Sequence, residues 1–193
     1  MVSGHLTVWH PLMIIDMILI MQDALTDIFS GGATVEIAKG ATLFRTQDRV
    51  HKMYVVRTGR VDLVRHVTSG ERMVLNRARA GAILAEASAY CERYHCDGFA
   101  QGDSTLQCIP VTNFLNRLAE SNALASQWSS HLARLLQRTR MNAEIRTLRR
   151  VSERLDAWLD LGNEIPARGE IQGVAQSLGV TREALYRELA TRR

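Results

Sequence analysis

Between Val35 and Val111 the chain alternates short apolar runs with glycine-centred punctuation, a pattern that predicts many short strands. Val35–Ile37, Thr42–Phe44, Met53–Arg57, Arg60–Arg65, Arg72–Asn76, Asp97–Ala100 and Thr105–Pro110 each carry several β-branched, aromatic or other apolar residues. Gly40, Gly59, Ser69-Gly70, Gly81 and Gly102 fall between most of them. The clearest hairpin is Tyr54-Val-Val-Arg-Thr-Gly-Arg-Val-Asp-Leu-Val64, with Thr58-Gly59 at its corner. Short strands in this number imply an antiparallel roll or barrel.

After Pro110 the period changes to that of a helix. Phe114, Leu115 and Leu118 mark a short amphipathic helix. A long run from about Ala123 to Arg150 then contains no Pro or Gly and spaces Leu124, Trp128, Leu132, Leu135 and Ile145 at three- and four-residue steps. A helix of that length needs more cover than one small domain supplies, and a second copy of the chain is the natural source. Leu148, Val151, Leu155, Trp158 and Leu159 continue as the first helix of a C-terminal domain ending near Gly162, and Asn163–Gly169 reads as a linker.

The last segment combines two short helices. Ile171, Val174, Ala175 and Leu178 give the first an apolar stripe, Gly179 supplies a left-handed stop, and Val180 can plug the gap. Thr181 suits the N-cap of the second helix, which turns Leu185 and Leu189 inward and Arg182, Glu183, Tyr186 and Arg187 outward. A cation-bearing helix after a tight turn fits the DNA major groove, where Arg pairs bidentately with guanine and Glu accepts from cytosine.

Charge supports that reading. The formal net charge is +4 over 193 residues, and from Arg134 to Arg193 there are twelve Arg against eight Asp plus Glu. Positive charge beside such a helix supplies salt-dependent affinity for phosphates. Hydrophobic residues make up 46% of the chain, enough for a real core. Three cysteines, Cys91, Cys96 and Cys108, without CxxC spacing or a secretory leader, point to a reduced, cytoplasmic setting. The apolar run Leu12–Met21 is too short to span a bilayer; it reads as a lead-in helix or as sequence without a folded role.

The order of roll, long helix and terminal helix-turn-helix resembles the family of the cyclic-AMP receptor protein and the fumarate–nitrate regulator. The hairpin Tyr54–Val61 resembles that family's strand–Gly–strand unit, and Gly81-Ala-Ile-Leu-Ala-Glu86 its Gly-x-x-x-Gly-Glu segment, with Ala85 at the second Gly. Arg182-Glu183-x-x-x-Arg187 matches the Arg-Glu-x-x-x-Arg of the cyclic-AMP receptor protein.

The resemblance implies an α+β chain. Residues 1–20 are a lead-in, 21–112 a double-stranded, jelly-roll-like sensor domain, 113–150 a dimerisation helix and 151–193 a helix-turn-helix lacking a complete wing. It further implies a homodimer on double-stranded DNA, with RNA polymerase as a partner and no membrane. Arg182, Glu183 and Arg187 would contact bases, with Tyr186 on the same face; Thr181 and Gln172 would contact phosphate. Glu86, Cys96 and Asp97 mark the effector position. Cyclic-nucleotide binders place an Arg-Ser pair ten residues beyond the Glu, where this chain has Cys96-Asp97. A carboxylate repels the phosphate, so cyclic AMP is disfavoured and the effector stays unnamed. Residues 1–90 contain no cysteine, which argues against an iron–sulfur cluster of the fumarate–nitrate type.

Tyr94-His95-Cys96-Asp97 holds both a haem-type and a thiolate-type ligand, but strand neighbours point to opposite faces. The simpler reading is a buried Cys96 beside a solvated His95, with haem or thiol sensing as the alternative. Cys108, Trp128 and Trp158 read as packing residues and His131 as a rim residue of the long helix. No Ser–His–Asp set, phosphate-cradling loop or paired carboxylates suggest an enzyme.

Overall fold

A computed structural model describes residues 25–66, 72–166 and 171–192. The Leu12–Met21 run, Ser69-Gly70 and part of the expected linker lie outside the described residues. The described residues form eight strands: β1 (Ala33–Ile37), β2 (Thr42–Phe44), β3 (Lys52–Thr58), β4 (Arg60–His66), β5 (Arg72–Arg79), β6 (Ile83–Leu84), β7 (Asp97–Ala100) and β8 (Ser104–Pro110). They make two antiparallel four-stranded sheets, in the orders β1-β8-β3-β6 and β2-β7-β4-β5.

Alternation fills the space between the sheets. Val56 of β3, Val61 and Leu63 of β4, Ala78 of β5 and Leu106 of β8 join Phe44, Tyr94 and Cys96 in one buried cluster. Phe44 stacks on Tyr94 with ring centroids 3.9 Å apart and on Tyr54 at 6.0 Å, so three aromatic rings occupy one end of the core. The β3–β4 corner depends on Gly59, whose φ is +83°. A Cβ there would sit 2.5 Å from the Asp103 carbonyl oxygen and 2.7 Å from Ser104 Cα.

Two elements were not legible beforehand. β5 runs three residues beyond the expected Asn76, because Arg77, Ala78 and Arg79 pair with Asp62, Val61 and Arg60 of β4. The two-residue β6 and the 3₁₀ turn Glu86–Tyr90 are likewise products of tertiary pairing, β6 lying against Tyr54 and Val55.

Helix α1 (Val111–Glu120) follows β8 directly and buries Phe114 and Leu118. Phe114 lies 5.8 Å from Phe29 and edge-on to Trp128 at 5.1 Å. Arg117 donates to the Ile28 and Ser30 carbonyls at 2.6 and 2.9 Å, closing the 3₁₀ turn Asp27–Phe29. Helix α2 (Asn122–Thr147) is 26 residues long. The chain divides into two compact units between Ser129 and Ser130, within this helix.

The C-terminal unit holds α3 (Val151–Asp160), α4 (Ile171–Leu178) and α5 (Arg182–Thr191). Its core comprises Ile145, Leu155, Trp158, Ile171, Val174, Ala175, Leu178 and Leu185. Leu148, expected within the first helix of this domain, lies in a bend between α2 and α3. Glu153 accepts from the Arg150 amide at 3.1 Å, satisfying a free N–H at the start of α3 and opening a new helix there.

Candidate functional site

The effector candidates lie around the turn that follows β6. Ala85 has φ +51° and ψ +51°, the left-handed conformation that explains why glycine suits this place. Glu86 opens the 3₁₀ turn just after it. Cys96 is fully buried in the roll core, whereas His95 is exposed. Burial first, then the neighbouring Asp97 and Glu86 charges, pushes the Cys96 thiol up to about 11, against the pull of Arg65. The thiol is therefore protonated at neutral pH and poorly suited to oxidation or metal ligation.

Asp97 is occupied by its own fold. Its Oδ1 accepts from the Thr46 amide at 2.5 Å and from the Thr46 hydroxyl at 2.8 Å, and its Oδ2 lies 3.3 Å from His66 Nδ1. Burial alone would raise this carboxyl, but the two Thr46 bonds and His66 together hold it below the ordinary carboxylate range. These contacts tie the end of β2 to β7 and β4. An open recess of about 420 Å³ is lined by Phe44, Asp48, Lys52, Tyr54 and Tyr94 among others; Glu86, Cys96 and Asp97 do not line it. Among the described residues no group of three or more His, Cys, Asp or Glu is arranged to hold a metal ion.

The second candidate surface is α5. Gly179 takes φ +64° and ends α4. The Thr181 hydroxyl accepts from the Ala184 amide at 3.2 Å and caps α5. Leu185 is fully buried and fixes the rotation of the helix, so Arg182, Glu183 and Arg187 remain exposed. Tyr186, expected to point outward, is half-buried and packs against the core of the unit, while the Arg182 guanidinium lies 5.3 Å from its ring centroid. Gln172 is exposed on the first turn of α4. Within one short unit the fold therefore gathers Gln172, Thr181, Arg182, Glu183, Tyr186 and Arg187.

The sequence reading missed the arginines that hold this unit together. Arg146 donates to the Gln176 and Ser177 carbonyls at 2.8 and 3.1 Å, and Arg154 to those of Leu178 and Gly179 at 3.0 Å each. These guanidiniums satisfy the free carbonyls at the end of α4. Arg192 bridges Asp156 and Glu188 and donates to the Ser152 carbonyl, fastening the end of α5 to α3. An arginine in a helix gives no sequence signal that distinguishes these roles.

Comparison with known proteins places the fold. Residues 34–121 match the family model described as cyclic nucleotide-binding domain. No curated protein sequence matches the chain. Among solved structures, FixK2 from Bradyrhizobium japonicum superposes with a TM-score of 0.65 at 15% identity, covering 83% of each chain. The c-di-GMP responsive global regulator CLP of Xanthomonas campestris gives 0.61 at 16% identity, covering 88% of this chain and 90% of its own. The catabolite activator protein of Thermus thermophilus gives 0.54 at 21% identity over 88% and 81%. Among the described residues no helix is long and apolar enough to cross a membrane. Two facing antiparallel sheets, a following long helix and the match over residues 34–121 thus make this region similar to a cyclic nucleotide-binding domain, in a fold shared with these three solved structures.

Proposed function

We propose that the protein is a homodimeric, sequence-specific DNA-binding transcription regulator and not an enzyme. The roll acts as a sensor, or the remnant of one, for a signal other than cyclic AMP. The observation that carries this reading is α5: Leu185 anchors the helix to the core, while Arg182, Glu183 and Arg187 stay exposed behind a capped N-terminus. Arg182 and Arg187 would read base edges with Glu183. Gln172 and the amides at the start of α5, which Thr181 caps, would hold phosphates.

The exposed apolar surface of α2 supports dimerisation through this helix. Leu136 and Met141 are 51% and 43% exposed on this helix, with Leu132 and Leu135 half-buried beside them. A twofold pairing would cover that surface and set two α5 helices about one DNA turn (~34 Å) apart, so the operator would be a short inverted repeat.

Against a haem or thiol sensor stand the buried, protonated Cys96 and the exposed His95 on its other side. The nearer rival is an interaction protein that keeps the roll without binding DNA productively. Gel-shift titration of duplex DNA at several salt concentrations separates the two. The regulator reading requires affinity to fall steeply with salt. Arg182→Ala and Arg187→Ala should each cost about 1–3 kcal/mol on a selected operator and less on random duplex. Salt-independent binding, or a strictly monomeric protein in sedimentation, overturns the proposal.

A further inference from the structure

The outer surface of the β2-β7-β4-β5 sheet holds a group of charges that the regulator reading does not use. Val61 and Leu63 point into the roll core, so Asp62 between them points to the opposite face. There its side chain is only 2% exposed, with Arg60 Nε 3.7 Å from Oδ1 and Arg77 Nε 3.9 Å from Oδ2. Both separations exceed hydrogen-bond length. Arg60 Nε, Asp62 Oδ1 and Arg77 Nε are all buried without a hydrogen-bond partner, three unmet polar atoms around one point.

Around this point one carboxylate, Asp62, faces two guanidiniums, Arg60 and Arg77. The Arg60 and Arg77 side chains keep 41% and 24% of their exposure although their Nε atoms are buried, so part of each still faces water. On the same face Asp97 is already engaged by Thr46 and His66, and Arg72 lies over the Phe99 ring at 4.6 Å. A tetrahedral oxyanion would offset the excess positive charge and accept from both forks. A phosphoryl group, with three acceptor oxygens, uses such a pair more fully than a carboxylate does.

We propose that Arg60 and Arg77, oriented from beneath by Asp62, form a phosphoryl-binding site on the outer face of this sheet. The site belongs to the roll and does not depend on α5 binding DNA. Its ligand is a phosphorylated small molecule or the phosphate backbone of a nucleic acid, which share the recognised group.

The test follows the Arg Nε–Hε signals of the full chain by NMR while inorganic phosphate replaces chloride at constant ionic strength. The Arg60 and Arg77 signals should shift together and saturate, and the Arg182 signal should not follow them. Arg60→Lys and Arg77→Lys keep the charge but remove the fork, and each should weaken phosphate binding about tenfold or more. A second titration with short duplex DNA, in the Arg182→Ala, Arg187→Ala background, identifies the source. Saturation by phosphate assigns a small ligand, and saturation by duplex alone assigns a nucleic-acid backbone. Linear, unsaturable shifts in both titrations, or lysine variants that bind as well as wild type, overturn the site. Should a variant fail to fold, the wild-type titrations still decide.

Discussion

The roll and the C-terminal unit spend their charged groups differently. In the roll, Asp62 and Asp97 are drawn into contacts across strands, with Arg77 across the β4–β5 pair and with Thr46 and His66 around β7. In the C-terminal unit, Arg146, Arg154 and Arg192 reach backbone carbonyls or carboxylates near helix ends. The outward residues of α5 are spared this use: among the described residues no side-chain hydrogen bond or ion pair engages Glu183 or Arg187. Two of the residues the sequence offers as effector candidates, by contrast, are consumed by the fold, Cys96 as a core residue and Asp97 as a clasp. A surface that has kept its polar groups unspent is better placed to meet a partner than one that has used them internally, because no internal bond must break first.

That comparison can be broken in several ways. Gly59→Ala has the largest expected effect, since the added methyl meets backbone at 2.5–2.7 Å where φ is +83°. A loss of about 3 kcal/mol or more is expected. Amide exchange should then accelerate across the strands and leave α3, α4 and α5 protected. Acceleration in both units alike would show that they do not unfold separately.

Leu185→Ala should cost about 3 kcal/mol, because this fully buried side chain is the anchor of α5. Here exchange should rise in the helices and not in the roll, and DNA affinity should fall although no outward residue has changed.

Asp97→Ala should cost about 1–2 kcal/mol at neutral pH by removing the acceptor of the two Thr46 bonds. The folded carboxyl titrates below its ordinary value, so its stabilisation is complete above the unfolded pKa of about 4 and fades as pH falls through the folded value. Urea unfolding of variant and parent should therefore converge in acid. A difference that persists unchanged well below that pH would assign the effect to packing.

The smallest effect sharpens the reading of the Gly81–Glu86 segment. Ala100→Gly, at a buried strand position, should cost about 1.5 kcal/mol through the lost methyl and added chain entropy. Ala85→Gly removes a methyl of similar burial but relieves a left-handed alanine, so it should come within about 0.5 kcal/mol of neutral. Equal losses at both positions would show that Ala85 is unstrained.

Much of this architecture was legible in the residues. Thr42–Phe44 and Asp97–Ala100 were delimited without error, and the Thr58-Gly59 corner, the Gly179 stop and the Thr181 cap all stand where local chemistry put them. Each rests on a preference expressed within a few residues. Residues 77–79 of β5 lie beyond the expected strand Arg72–Asn76, because only their pairing with Asp62, Val61 and Arg60 makes them part of a strand. Tyr186 looked solvent-facing on helical geometry, since the core it leans on comes from other helices of its unit.

The sequence by itself determined the punctuation, the alternation that builds a roll, the apolar stripes of α4 and α5, and the exposed Arg-Glu-x-x-x-Arg face, all properties carried by neighbouring residues. Tertiary structure alone decided that Cys96 is sealed in the core, that Thr46 and His66 claim Asp97, and that Arg60 and Arg77 converge on Asp62. Those outcomes depend on groups brought together from distant positions, and burial and Coulomb interactions act on distance in space, to which the order of residues is blind.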